Sequence, residues 1–191
     1  MKVLPRIYYD RDTKVVAREL LGKKLIRRLG DDLLESIIVE VEAYYGPNDP
    51  ASRAYRGKKS YNIVMWEESG RAFVYNVHNN WLFNIVSHEP DEIGAILIRA
   101  VEPSKGIEVI MKNRLIDDVR DLTSGPGKLT KALMIDRTLN GTSLTTEESE
   151  VFIVDNLVNY EIGASHRVGV TKDLEDELRF FIKGNRFVSR R

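Results

Sequence analysis

The chain has 191 residues, 42% hydrophobic and 30% charged, a composition ordinary for a soluble globular protein and long enough for one compact domain with a full core. Basic and acidic residues balance at 29 each, so no global field attracts nucleic acid and any basic surface must be local. Cysteine is absent, which excludes a disulfide framework and thiolate metal sites. The opening MKVLPRIYYDRD lacks the apolar run of a signal peptide, and no later stretch approaches a membrane span. A cytoplasmic protein with no membrane partner is therefore expected.

The spacing of apolar residues predicts a short helix over Thr13–Leu21, capped by Asp12 or Thr13 and stopped at Gly22. Strands follow at Lys23–Arg28 and Leu33–Ala43, joined by a turn at Gly30-Asp31-Asp32. Three more are predicted at Ala72–Val77, Trp81–Ser87 and Ala95–Val101, the first two flanking His78-Asn79-Asn80 as a tight hairpin tip. Helical spacing covers Gly106–Leu115 and Lys128–Ile135, and weaker strands are read at Val151–Val154, Arg167–Val170 and Leu178–Ile182. Strands dominate the middle without regular alternation with helices. That pattern predicts a single α+β domain with a largely antiparallel sheet.

The segment Ile37–Tyr44 reads IIVEVEAY. Side chains alternate along a strand, so Ile37, Val39, Val41 and Ala43 form an apolar face, and Glu40, Glu42 and Tyr44 share the other. Two acids and a phenol in a row suit a solvated surface as well as a reactive one. Arg99 bears on the choice, because it shares a strand face with Ala95, Leu97 and Val101 and is expected to be partly buried. A buried charge without a partner is very costly, so a carboxylate from a neighbouring strand is its natural partner. Such a pair is either a structural ion pair or a holder of a water molecule, with the carboxylate as general base.

Other chemistry-bearing patterns are fewer. Arg53, Arg56, Lys58 and Lys59 lie within seven residues that include no acid, which fits a solvated loop or a local contact to DNA. His78, His88 and His166 are far apart and show no ligand spacing, so no metal is expected. Ser124-Gly125-Pro126-Gly127-Lys128 fails as a nucleotide loop, because Leu122 stands where glycine is needed and Leu129 where Ser or Thr is needed. No nucleotide cofactor is expected. Gly-Pro-Gly before a helix still offers backbone N–H groups to a DNA phosphate, or serves as an ordinary helix start.

The run EVEAYYGPNDPASRAYRGKK, Glu40 to Lys59, closely resembles the core motif of the alkyladenine (3-methyladenine) DNA glycosylase family. The resemblance continues in order through RAFVYNVHNNWLFNIV, GAILIRAVEP, SGPGKLTKAL and HRVGV, covering most of the chain from about Thr13 onward. It implies a single-domain α+β fold around a curved antiparallel sheet. The implied activity is cofactor-independent hydrolysis of the N-glycosidic bond of a flipped, damaged purine in duplex DNA. The candidate substrates are alkylpurines, hypoxanthine and ethenoadenine, and a monomer is expected.

The resemblance also implies roles for particular residues. Glu42 matches the general base that activates water against C1′ of the sugar. Arg99 matches the arginine that helps bind that water, and Val168 the residue whose main-chain carbonyl also binds it. Tyr44 and Tyr75 match the aromatics that sandwich the flipped base, and Asn84 the asparagine that guards the pocket floor. His78 falls where better-known members wedge a tyrosine into the duplex, with Asn79 and Asn80 beside it. Arg56, Lys58, Ser124, Gly125, Gly127 and Lys128 are the remaining expected DNA contacts.

Two departures stand out. Arg53 replaces a histidine that bonds the flipped base, so it either points at a phosphate or enters the pocket, where a donor-only side chain suits the O6 acceptor of hypoxanthine. Tyr61 replaces an arginine, with loss of a phosphate contact. Two rival readings remain. A bifunctional glycosylase would need a pocket lysine or an amino-terminal proline, and the chain offers neither at the matched positions. A non-catalytic nucleic-acid-binding domain of the same fold would have no use for Glu42 paired with Arg99.

Overall fold

The computed structural model describes residues 2–189. Two short helices open it, α1 (Arg6–Tyr9) and α2 (Thr13–Leu20). The Asp12 carboxylate accepts the Val15 N–H at the start of α2, and so is the cap of the two candidates. Eight strands follow: β1 (Lys24–Leu29), β2 (Asp32–Tyr45), β3 (Ala72–Val77), β4 (Asn80–Val86), β5 (Gly94–Lys105), β6 (Val151–Val154), β7 (Ile162–Ser165) and β8 (Arg179–Ile182). Between β5 and β6 come α3 (Ile107–Arg114) and α4 (Pro126–Ala132).

All pairings are antiparallel and join one curled sheet, in the order β3-β4-β5-β2-β1-β6, with β7 on β8 and β8 on β2. The fold is thus α+β, as the strand-rich middle predicts. β2 organises it. One edge runs along β5, while the other takes β1 over its first half and β8 alongside Glu40–Glu42. The main core lies between the sheet and its helices, where Val16, Leu20, Ile38, Val41, Ile98, Leu129 and Phe180 are almost completely buried. A smaller cluster, formed by Ala54, Val64, Met65, Phe73, Val86 and Ala95, fills the other side of the sheet near the loop after β2. Among the described residues no helix is long and apolar enough to cross a membrane.

Two expectations need correction. The pairing of β2 with β5 shifts register around Ile38–Val41, so strict alternation fails there. Val39, Glu40, Val41, Glu42 and Ala43 are all fully buried, and the acidic face of this strand is not a solvated surface. The strand expected at Arg167–Val170 is instead a loop, and the strand of this region is β7. Backbone donors there go to carboxylates, Arg167 N–H to Asp173 and Val168 N–H to Glu42, and Gly169 adopts a left-handed φ of 76°. Those bonds and that turn remove the chain from any ladder.

Candidate active site

The centre of the site is a buried charge cluster on three adjacent strands. Glu42 faces Leu97 of β5 on one side and Arg179 of β8 on the other, while Glu40 faces Ala100 and Phe181. Both carboxylates are completely inaccessible to solvent. Arg99 reaches into the bulged stretch of β2 and serves both, its Nε donating to Glu40 Oε1 at 2.8 Å and its Nη1 lying 3.2 Å from Glu42 Oε2. Glu40 also receives the Arg179 Nε–H at 2.8 Å, the Ser189 N–H at 2.6 Å and the Ser189 hydroxyl at 2.9 Å. Burial alone would raise the Glu40 carboxyl, but Arg99, the Ser189 N–H and Arg179 hold it below the usual carboxylate range.

Glu42 is held differently. Its Oε1 accepts the Val168 N–H at 2.7 Å, and its Oε2 accepts the Tyr44 hydroxyl at 2.8 Å. Burial, followed by the Glu42 carboxylate itself, pushes the Tyr44 phenol well above its ordinary value, so Tyr44 keeps its proton and donates it. An ionised carboxylate has about four acceptor positions. Val168 and Tyr44 occupy two, and Arg99 adds an ion-pair contact, which leaves room for a further donor such as water.

Beside this cluster lies a cavity of about 380 Å³, within the range of small-molecule sites. Tyr44, Tyr75, Arg53, Asn84, Arg99 and Val168 all line it, so seven candidate residues from six separate segments meet here once Glu42 behind the wall is counted. Tyr75 stacks on Phe73 with centroids 4.8 Å apart and planes 25° apart, and Tyr61 lies 6.5 Å away at the rim. Asn84 is fixed by its own strand neighbours, its amide donating to Phe73 O at 3.0 Å across the hairpin. Such a tethered side chain forms a rigid wall rather than an adaptable contact. Arg53 is an exposed residue on the cavity lining, its guanidinium carbon 4.9 Å from the Tyr75 ring centroid.

The candidate DNA contacts form a second group. The β3–β4 hairpin turns through His78 and Asn79, both left-handed with φ of 46° and 60° and both exposed. This two-residue turn matches the twist of a tight hairpin. His78, Asn80, Gly125, Gly127 and Lys128 line a shallow groove of about 340 Å³ with Arg114 and Lys131. Gly127 is needed for packing, since a Cβ there would lie 2.8 Å from the Asn80 side-chain oxygen. Ser124 is half-buried just ahead of this groove, and Arg56 and Lys58 stand exposed on the loop after β2, outside both cavities. Another cavity of about 340 Å³, around Asp12, Tyr45, His88 and Glu92, contains none of the candidate residues.

Residues invisible to sequence reasoning complete the site. Arg167 is fully buried, its Nη1 and Nη2 donating to the Asp49 carboxylate at 2.6 and 2.8 Å and its Nε to Asp173 at 2.8 Å. Its guanidinium carbon is 4.5 Å from the centroid of Tyr44. Arg167 thus supports the Tyr44 ring and adjoins the Val168 N–H that holds Glu42. Glu40 and Arg179 fix Arg99 from the other side. For Glu40 the only signal was its place two residues before Glu42.

Comparison with known proteins bears on the same segments. Residues 7–186 match the family model described as methylpurine-DNA glycosylase. A protein of Aeropyrum pernix, provisionally named a 3-methyladenine DNA glycosylase, is 39% identical, the match covering 99% of this chain and 94% of that protein. Proteins with the same provisional name from Methanoculleus marisnigri and Carboxydothermus hydrogenoformans are 42% and 40% identical, with 99% and 100% of their lengths covered.

Proposed function

Because this chain belongs to the methylpurine-DNA glycosylase family, we propose that it releases damaged purines from duplex DNA by water attack at the sugar, with Glu42 as general base. Membership assigns the coarser role, a DNA glycosylase with DNA as its partner. The observation that carries the finer reading is the arrangement at Glu42: a buried carboxylate held by two hydrogen bonds and an ion pair, with acceptor capacity left over, behind the wall of a purine-sized cavity lined by two tyrosines.

A base inside a duplex hides its sugar, so it must be extruded at a cost of a few kcal/mol. Stacking between Tyr44 and Tyr75 returns roughly 1–3 kcal/mol per base and tolerates several purines. The His78-Asn79 tip, exposed at the end of the β3–β4 hairpin, occupies the gap left in the stack. Water bonded to Glu42, with Arg99 and Val168 beside it, attacks C1′ as the C1′–N9 bond breaks. The water oxygen joins the sugar, its proton passes to Glu42, and the bonding pair leaves with the purine. The products are a free base and an abasic site. Alkylpurines, hypoxanthine and ethenoadenine fit this scheme, while the fixed Asn84 side chain disfavours normal guanine, whose exocyclic amine it meets and whose N-glycosidic bond no alkyl group weakens.

Glu42→Gln is the test. Base release from a lesion-bearing duplex should fall by about 10²–10⁴-fold, the usual contribution of a general base. Affinity for abasic-site DNA should be retained. Absence of release by the unsubstituted protein on all of these lesions would leave only a nucleic-acid-binding role.

A further inference from the structure

The two rings that would sandwich an extruded base each already carry an arginine. Arg167 lies against Tyr44 at 4.5 Å from the ring centroid, and Arg53 against Tyr75 at 4.9 Å. The charged side chains lining the cavity are Arg53, Arg99 and Lys172, and no carboxylate is among the lining residues. Arg99 and Arg167 are neutralised by buried carboxylates, Glu40 and Glu42 for the first and Asp49 and Asp173 for the second. Arg53 and the exposed Lys172 differ, since no carboxylate pairs with either among the described residues; of the two, Arg53 lies against the Tyr75 ring, where partial burial and the phenols of Tyr75 and Tyr61 act on its charge.

We propose that this pocket is a charge filter, with Arg53 as the specificity-determining residue, and that it favours neutral 6-oxopurines such as hypoxanthine over cationic N-alkylpurines. The proposal rests on the base-release reading above. An aromatic face attracts a cation through its negative quadrupole, and a guanidinium already placed on that ring spends this attraction. A cationic base entering between Tyr44 and Tyr75 would gain little from either ring and would meet the like charge of Arg53 at the cavity mouth, where no carboxylate lines the wall to offset the repulsion. A neutral purine stacks by dispersion and loses nothing. Its carbonyl at position six also offers an acceptor to a side chain that can only donate.

The experiment is single-turnover release from duplexes carrying one hypoxanthine or one 7-methylguanine, for the unsubstituted protein and for Arg53→Gln and Arg53→Glu. Arg53 is an exposed side chain, so both variants should fold. The ratio of 7-methylguanine to hypoxanthine release should rise about two- to fivefold in Arg53→Gln, the scale of one cation–π contact at an exposed site, and further in Arg53→Glu. Affinity for abasic-site DNA is measured alongside. An unchanged ratio overturns the filter, including the case where both rates and abasic-site binding fall together because Arg53 serves only a phosphate. Release of neither base by the unsubstituted protein would remove the glycosylase reading itself, and the filter with it.

Discussion

Glu40 is the residue on which the charge cluster turns. It does not itself line the cavity, yet it accepts four hydrogen bonds, from Arg99, Arg179 and both donors of Ser189. Removing its charge would leave Arg99 with Glu42 alone and take from Arg179 a buried carboxylate that it donates to. Glu40→Gln should therefore lower stability by about 3–5 kcal/mol in denaturant unfolding at neutral pH. The folded carboxyl lies below its ordinary value of 4.5, so its stabilisation is complete above that value and is lost as pH falls through the folded value. Unfolding curves measured down through pH 4 should accordingly be less acid-sensitive for Glu40→Gln than for the unsubstituted chain, and equal acid sensitivity would contradict this account. The need for a partner at Arg99 was legible in the sequence, because an arginine among Ala95, Leu97 and Val101 cannot stay unpaired. The share taken by Glu40 was not, since Arg179 and Ser189 arrive from 139 and 149 residues away.

At the scale of elements, periodicity located most strands and helices because one face of each meets the core. β3 and β6 fall on their expected residues, and β4 and β5 lie within a few residues of theirs. What periodicity could not show is the bulge in β2, where the register shifts against β5 and both faces become buried. Nor could it show the loop of residues 166–170. Apolar neighbours there look like a strand, but the buried Arg167 ties the segment to Asp49 and Asp173 instead. The start of β5 makes a sharper demand. A Cβ on Gly94 would lie 2.3 Å from the Thr13 hydroxyl and 2.6 Å from the Ser87 carbonyl, which are themselves hydrogen-bonded at 2.8 Å. Gly94→Ala should push α2 away from the sheet and cost about 1–3 kcal/mol, read as a lowered Tm. A Tm unchanged by this substitution would mean that the contact between α2 and β5 has slack the geometry does not show.

Across the whole molecule, the balanced total charge conceals a polarised surface. The tyrosine-lined cavity and the groove beneath the hairpin share Val77, Leu82 and Pro126, and their charged linings are Arg53, Arg99, Lys172, Arg114, Lys128 and Lys131. The cavity near α2 is lined instead by Asp12, Asp49, Glu89 and Glu92, with His88 as its only basic side chain. A zero sum with separated signs orients an approaching polyanion without making the protein sticky everywhere. Counterion release then gives a quantitative test. Each phosphate neutralised contributes about −0.9 to the slope of log K against log salt for duplex DNA. Lys131 is exposed on the groove, so Lys131→Gln should reduce the steepness of that slope by about 1. Lys14, on α2 and ion-paired with Asp176, belongs to the acidic end, and Lys14→Gln should leave the slope as it is. Equal effects of the two substitutions would mean that DNA does not dock on the groove, and the hairpin would then be too far from the duplex to fill the space of an extruded base.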